Sequence, residues 1–310
     1  TDEYLRNVST ISFTKGIPTG SEGEIINRGV NITEAKGWLE SAYVKWTPFE
    51  GATSYNVYVK GGKYADYTRI DRELVRDYGT YGRADMVGLP ANVYALKVVP
   101  VIDGTEDTAS ASEATDMSVK AHDRSGFAFL RNAVTAPYDG SGIGAYKENG
   151  ELKDNATVIY VTAETAKTVT CKVFHDKAYK EFTGLQAIMD ALQKGTAKEP
   201  ICVRIVGTIK KDDLDKILSS AEGLQIKGKN AYAPVNVTIE GIGDDATTWG
   251  FGFLIRNCSS VEMRNFANMC CMDDALSFDT QNAHCWVHHM DFFYGSTGGD
   301  SDQAKGDGTV

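Results

Sequence analysis

The feature that most constrains this chain is a short segment that recurs every 24 residues near its C-terminal end. Residues 236–241 align with residues 260–265 and again with residues 284–289. A second pair of segments, residues 253–256 and 276–279, is offset by 23 residues. Short β-type segments at a period of about 20 to 50 residues are typical of repeat folds, so the pattern predicts a right-handed parallel β-helix.

The alternation inside each repeat predicts which residues stack on one another. Successive residues of a strand face opposite sides, so equivalent positions of consecutive repeats should meet in the core. The predicted stacks are Val237 with Val261 and Cys285, and Ile239 with Met263 and Val287. A leucine-rich repeat is excluded because its frame of Leu and Asn residues is missing.

A different pattern upstream predicts an antiparallel body. Residues 43–46 and 54–60 each alternate between apolar and polar side chains. Short alternating strands at this spacing are typical of a β-sandwich. We therefore expect an all-β chain with a leader segment at residues 1–38, a β-sandwich at residues 39–120 and the β-helix at residues 121–310.

Between the two patterns the sequence predicts one helix and two strands. Residues 181–194 have apolar side chains at helical spacing, which suits an amphipathic helix covering the open end of a β-helix. Residues 158–161 and 200–209 are apolar enough to form buried strands.

Charge and cysteine content exclude several classes of protein. The formal net charge is −10, which argues against a nucleic-acid partner. No apolar run approaches the roughly 18 residues of a membrane-spanning helix, and the N-terminus lacks the features of a signal peptide. The six cysteines form no CxxC pair, which argues against a zinc ribbon, and we favour buried thiols over disulfides.

Two groups of motifs resemble known families. Trp46, the segment 52–59 and Tyr94 resemble the strands and the tyrosine corner of a fibronectin type III domain. Packing explains Trp46 and Tyr94 better than sugar binding does. Six further segments in matching order resemble the pectate lyases of polysaccharide lyase family 1, and these are residues 236–243, 249–256, 261–266, 273–279, 286–289 and 306–310.

The second resemblance implies a calcium-dependent lyase. It implies Ca²⁺ ligands at Asp274 and Asp307, with a further acidic ligand and the catalytic arginine beyond Val310. In such an enzyme the ion neutralises the carboxylate of galacturonate, and the arginine removes the C5 proton before β-elimination. A bound cation would also let an acidic protein hold an acidic polysaccharide.

Other residues near these positions are secondary candidates. Asp273, Asp302 and Lys305 are candidates for contacts with metal or substrate, although a solvated turn also explains Asp302 and its neighbour Asp300. His288 stands where most of the family has aspartate. Because adjacent strand residues face opposite sides, His288 and His289 are expected not to bind one ion, and we assign them structural roles.

The resulting hypothesis is a secreted or periplasmic enzyme that cleaves pectate (polygalacturonate) by β-elimination with Ca²⁺ as cofactor. Nucleic acid and membrane are not expected partners. We also expect a further C-terminal segment to cover the strand edges that a β-helix ending at Val310 would expose. Two alternatives stay open: another β-helix enzyme acting on pectin, such as a hydrolase or esterase, and a non-catalytic protein that binds carbohydrate or calcium.

Overall fold

The computed structural model describes residues 21–195, 199–217 and 223–293, and this part of the chain is all-β with a single α-helix. No helix within it is long and apolar enough to cross a membrane. Its elements are β1 (Glu24–Ile26), β2 (Ile32–Gly37), β3 (Ser41–Trp46), β4 (Ser54–Gly61), β5 (Tyr64–Arg69), β6 (Val75–Asp77), β7 (Gly82–Val87), β8 (Asn92–Ile102), β9 (Thr105–Glu106), β10 (Ser112–Val119), β11 (Thr157–Val161), β12 (Thr170–His175), β13 (Ala178–Thr183), α1 (Leu185–Lys194), β14 (Ile201–Lys210), β15 (Leu224–Lys227), β16 (Ala233–Trp249), β17 (Phe253–Arg256), β18 (Cys258–Arg264), β19 (Ala267–Met269), β20 (Leu276–Asp279), β21 (Ala283–His288) and β22 (Asp291–Phe292).

The first ten strands form two antiparallel sheets around one apolar core. One sheet has the order β1-β10-β8-β4-β5, with β9 beside β8, and the other has the order β2-β3-β7-β6. Trp46 is fully buried between them. The buried Tyr94 donates its hydroxyl hydrogen to the Pro90 carbonyl at 2.9 Å. Both aromatic residues therefore pack in the core, as the sequence predicts.

These sheets begin earlier than the expected boundary at residue 39. β1 pairs with β10, and β2 pairs with β3, so both strands belong to the antiparallel body. β1 is largely exposed, and the inward positions of β2 include the small residues Ala35 and Gly37. Apolar and polar residues alternate only weakly in such strands, so the sequence predicts a leader segment there instead. Residues 1–20 of that predicted leader lie outside the described residues.

The second body consists mainly of parallel strands, and its register matches the repeat in the sequence. β16, β18 and β21 lie side by side, with Val237 opposite Val261 and Val261 opposite Cys285. Both predicted stacks are confirmed, since Ile239, Met263 and Val287 are also paired in order. Equivalent strands of consecutive repeats likewise form β15-β17-β20 and the row from the end of β16 through β19 to β22.

The corners between these strands are held by residues with left-handed backbone conformations. Equivalent positions repeat 24 residues apart: Asn257 and Gln281 have φ of 57° and 56°, and Asn265 and His289 have φ of 58° and 51°. A further left-handed position repeats inside strands β16, β18 and β21, at Asn236, Ser260 and His284, with φ between 51° and 61°. A left-handed residue redirects the chain, so each repeat bends at the same places.

Helix α1 packs its apolar side on the core of the parallel body. Ile188, Met189 and Leu192 are buried there together with the inward side chains of the strands. The helix begins at Leu185 rather than at residue 181, because residues up to Thr183 form the antiparallel hairpin of β12 and β13. The other two strand predictions are confirmed by β11 and β14.

The two bodies share buried contacts. Ile242 of β16 is fully buried in the apolar core of the antiparallel body. Nearby, Arg83 contacts Asp244 at 2.6 Å, and the Tyr78 hydroxyl donates to Asp245 at 3.0 Å. Four of the six cysteines are buried, as favoured from the sequence.

Candidate functional site

The predicted calcium ligand Asp274 lies in the turn between β19 and β20. Its side chain is partly exposed, and the Ser277 hydroxyl donates to Oδ2 at 2.5 Å. Main-chain contacts hold the turn in place: Phe253 N–H donates to the Ala275 carbonyl, and a Cβ on Gly252 would lie only 1.8 Å from the Asp274 carbonyl oxygen. The carboxylate is an oxygen donor of the kind Ca²⁺ prefers, and the role of Asp274 as a ligand stays a prediction.

The other predicted contacts to metal or substrate lie mostly outside the described residues. Asp307, Asp302 and Lys305, like Asp300, lie outside the described residues. Asp273 is adjacent to Asp274, and its carbonyl oxygen accepts from the Cys271 thiol at 3.0 Å. Within the described residues, Asp274 belongs to no group of three or more potential metal ligands. The pairing of Asp274 with Asp307 therefore stays a prediction.

A second polar region lies on the outer face of the parallel sheet, where one charged residue from each strand stands in a row. Arg204 of β14 is opposite Glu240, Glu240 is opposite Arg264, and Arg264 is opposite His288. Glu240 accepts from Arg204 Nε at 2.9 Å and from Arg264 at 2.8 and 3.0 Å. The Tyr146 hydroxyl also donates to it at 2.6 Å. All these side chains are buried or nearly so, which is tolerable because the opposite charges alternate.

The neighbouring row adds a second buried carboxylate. Glu262 accepts from the Thr238 hydroxyl at 2.9 Å and contacts Arg264 at 3.3 Å. Its Oε1 also lies 3.2 Å from Nε2 of His288. Burial raises the pKa of Glu262, while the charge of Arg264 opposes that rise. Glu262 therefore connects the charged row to a histidine.

Three histidines meet at the end of these rows. The nearest ring nitrogens of His122, His288 and His289 all lie within 4.8 Å of one another, and Nδ1 of His288 is 2.8 Å from Nδ1 of His289. The expectation that His288 and His289 face opposite sides is wrong. β21 ends at His288, and the left-handed conformation of His289 (φ 51°) turns its ring back beside its neighbour.

The environment keeps these imidazoles neutral. Burial, reinforced by the charge of Arg264, lowers the pKa of His288 to about 2. Burial also lowers the pKa of His122 to about 3, although the negative charge of Glu40 opposes this shift. The pKa of His289 is lowered by burial and by Arg264 as well.

The histidine cluster opens into a cavity of about 440 Å³ between the two bodies. The antiparallel body contributes Trp38, Tyr43 and Arg83 to its lining, and the parallel body contributes Arg264 and Asp291. The cavity therefore combines aromatic and charged side chains with neutral imidazoles.

Reasoning from sequence missed most of this site. His122 and Glu40 are not identified from the sequence. His122 comes from the linking segment between β10 and β11 (residues 120–156), and Glu40 comes from the antiparallel body, far away along the chain. The sequence pattern identifies Glu240, Glu262 and Arg264 only as members of the repeated segments, without a functional role. Their signal was present, since polar residues alternate with the core residues of each repeat at the same 24-residue spacing.

Comparisons with known proteins add no relative to this description. No protein-family model matches the chain, and a search of curated proteins finds no significant match.

Proposed function

We propose that the chain is part of a calcium-dependent pectate lyase, with a fibronectin type III-like domain before the first turns of a right-handed parallel β-helix. The observation that carries the proposal is the parallel pairing of strands 23 to 24 residues apart, since most of the lyase-like motifs lie on these strands. The contact between Tyr94 and Pro90 supports the fibronectin-like assignment.

The position of Asp274 is consistent with a ligand role. It precedes β20 in a turn fixed by main-chain contacts to the repeat before it, so its carboxylate would be held in place before an ion binds. An equivalent carboxylate one repeat further on would lie about 4.8 Å away along the sheet, close enough to share one cation. The resemblance to the lyase family assigns the second ligand to Asp307.

In this proposal Ca²⁺ would supply positive charge against the uronate carboxylate of the substrate. Asp274 and Asp307 would hold the ion, while the resemblance assigns the base to an arginine beyond Val310. Asp273, Asp302 and Lys305 would be secondary contacts to metal or substrate. Pectate occurs outside cells, so the proposal includes secretion to the periplasm or the medium.

The test is the ultraviolet absorbance of polygalacturonate incubated with the complete gene product, first with Ca²⁺ and then with a chelator. The proposal expects a rise that the chelator abolishes, because β-elimination leaves a conjugated unsaturated product. Asp274→Asn should raise the Ca²⁺ concentration for half-maximal rate by about ten-fold or more, since it removes one charged ligand. Asp66→Asn, at an exposed position on β5, is the matched control.

Other results would identify the alternatives. New reducing ends without an absorbance rise, insensitive to the chelator, would indicate a hydrolase, and methanol release from methylated pectin would indicate an esterase. Binding of polygalacturonate or Ca²⁺ without any product would indicate a non-catalytic binding protein.

A further inference from the structure

We propose that His122, His288 and His289 form a binding site for a divalent transition-metal ion such as Zn²⁺. Three of the five histidines of the chain meet here, although they come from two segments separated by more than 160 residues. The site uses different residues and a different donor type from the calcium site at Asp274, so either proposal can fail without the other.

The separations between the ring nitrogens suit one ion. Zinc is bound by imidazole nitrogen at about 2.0–2.1 Å, so the nitrogens of a tetrahedral site lie about 3.4 Å apart. The Nδ1 atoms of His288 and His289 are 2.8 Å apart, and all three candidate donor atoms lie within 4.8 Å of one another. Small ring rotations would bring them to the required spacing.

Glu262 sets the protonation of His288 in the way a metal site requires. An ionised carboxylate only accepts hydrogen bonds, so the contact at 3.2 Å places the ring hydrogen of His288 on Nε2. Its Nδ1, which lies 2.8 Å from Nδ1 of His289, then keeps a lone pair available for an ion. Metal-binding histidines commonly donate their other ring hydrogen to a carboxylate in this manner.

Further contacts fix the other parts of the site. The Trp286 ring stacks on His288 with centroids 3.6 Å apart. The main-chain N–H of His122 donates to the buried carboxylate of Glu40 at 3.2 Å. The His288 ring and the main chain of His122 are therefore held by the protein, while His289 remains exposed at the corner after β21.

The donor set selects the class of ion. Neutral imidazoles suit Zn²⁺, Co²⁺, Ni²⁺ and Cu²⁺, whereas Ca²⁺ requires oxygen ligands. All three histidines line or adjoin the cavity between the bodies, so a fourth coordination position is open to water or to a small ligand. Because His122 belongs to the linking segment and His288 to β21, the ion would also join these two parts of the chain.

The experiment is calorimetric titration of the metal-free protein with Zn²⁺, together with the visible spectrum of the protein loaded with Co²⁺. One ion should bind per chain, and the Co²⁺ spectrum should show nitrogen coordination. His289→Gln and His122→Gln should each weaken Zn²⁺ binding by at least about ten-fold. His289→Gln is the safer variant for folding because this side chain is exposed.

His175→Gln is the matched control, since it removes a histidine of β12 that lies outside the cluster. It should bind Zn²⁺ as tightly as the unmodified protein, as should Asp274→Asn, and excess Ca²⁺ should not displace the ion. Glu262→Gln should weaken binding by about 10–100-fold through the orientation of His288, with the Co²⁺ spectrum altered. The proposal is overturned if the unmodified protein binds no Zn²⁺, or if folded His289→Gln and His122→Gln bind it unchanged.

Discussion

Glu240 is a fully buried carboxylate whose charge is balanced by two arginines. Burial alone would raise its pKa, but Arg264, Arg204 and the Tyr146 hydroxyl outweigh that effect and lower the pKa to about 2. Removing one member of such a group leaves an uncompensated buried charge, which is more costly than never having formed the group. Glu240 should therefore contribute strongly to stability while it is ionised.

Glu240→Gln should lower the free energy of unfolding by about 3–5 kcal/mol at neutral pH, because Arg204 and Arg264 each lose a buried ion-pair partner. The folded pKa lies below the unfolded value of 4.5, so the contribution is complete above about pH 4.5 and is lost as the pH falls towards 2. The ionisation itself accounts for a contribution on the order of 3 kcal/mol. Urea unfolding at about pH 7 and about pH 3 measures both effects.

The difference between the unmodified protein and Glu240→Gln should therefore shrink at the lower pH. Glu50→Gln, an exposed position between β3 and β4, should change the free energy of unfolding by less than about 0.5 kcal/mol at either pH. An equal difference at both pH values would contradict the predicted role of ionised Glu240.

At the residue scale, sequence reasoning succeeded where side chains follow strict alternation and failed where the chain turns. Val237, Val261 and Cys285 were predicted to stack because all three lie inside strands. His289 was placed wrongly because alternation stops at the end of β21, and a left-handed residue at a corner is not visible as a change in polarity. His122 could not be found at all, since its position depends on how the two bodies dock.

At the element scale, residues at the corners of the parallel body have left-handed backbone conformations at regular intervals. This conformation is unfavourable for residues other than glycine. Gln281 follows β20 with φ of 56°, as Asn257 follows β17 with φ of 57°. A left-handed conformation costs a non-glycine residue about 1–2 kcal/mol, and glycine pays almost none of it. The fold tolerates these residues because the strands on both sides fix the corner.

Replacing the exposed Gln281 should reverse the usual order of alanine and glycine. Gln281→Gly should be more stable than Gln281→Ala by about 1 kcal/mol, because only the glycine relieves the left-handed backbone. Urea unfolding of the two variants measures the difference.

Lys229 provides the comparison, since it is exposed and does not have a positive φ. Lys229→Ala should be at least as stable as Lys229→Gly, because glycine gains more freedom in the unfolded chain. The same order at both positions would argue against strain at Gln281.

Most strands could be predicted because their alternation or apolar runs are long. β3, β4, β11 and β14 fall where expected. β1 could not be predicted, since it has three residues and is largely exposed, so its position depends on pairing with β10. The start of α1 was misplaced for a related reason: Gly184 separates the helix from β13, whose side chains also fit a helical pattern.

At the scale of the whole molecule, β16 connects the two bodies. Most of its inward residues belong to the core of the parallel body, yet Ile242 is fully buried in the core of the antiparallel body. Arg83 with Asp244 and Tyr78 with Asp245 add polar contacts beside it. No pattern in the sequence distinguishes Ile242 from its neighbours, because its partners lie on strands of the other body.

Ile242→Ala should uncouple the two bodies. The substitution removes a side chain from a shared core, and a buried Ile→Ala change costs about 2–5 kcal/mol. Because Ile242 packs where the two bodies meet, its loss weakens their docking. The single unfolding transition expected for the unmodified protein in differential scanning calorimetry should then separate into two.

Ile226→Ala is the matched control for this effect, since Ile226 of β15 is also buried but lies in the core of the parallel body alone. It should lower stability without separating the bodies, because the contacts of Ile242 remain. If both variants shifted one transition equally, the loss at Ile242 would be spread over the whole protein, and docking would not depend on this side chain. If only Ile242→Ala produced two transitions, the docking of the two bodies would depend on this side chain.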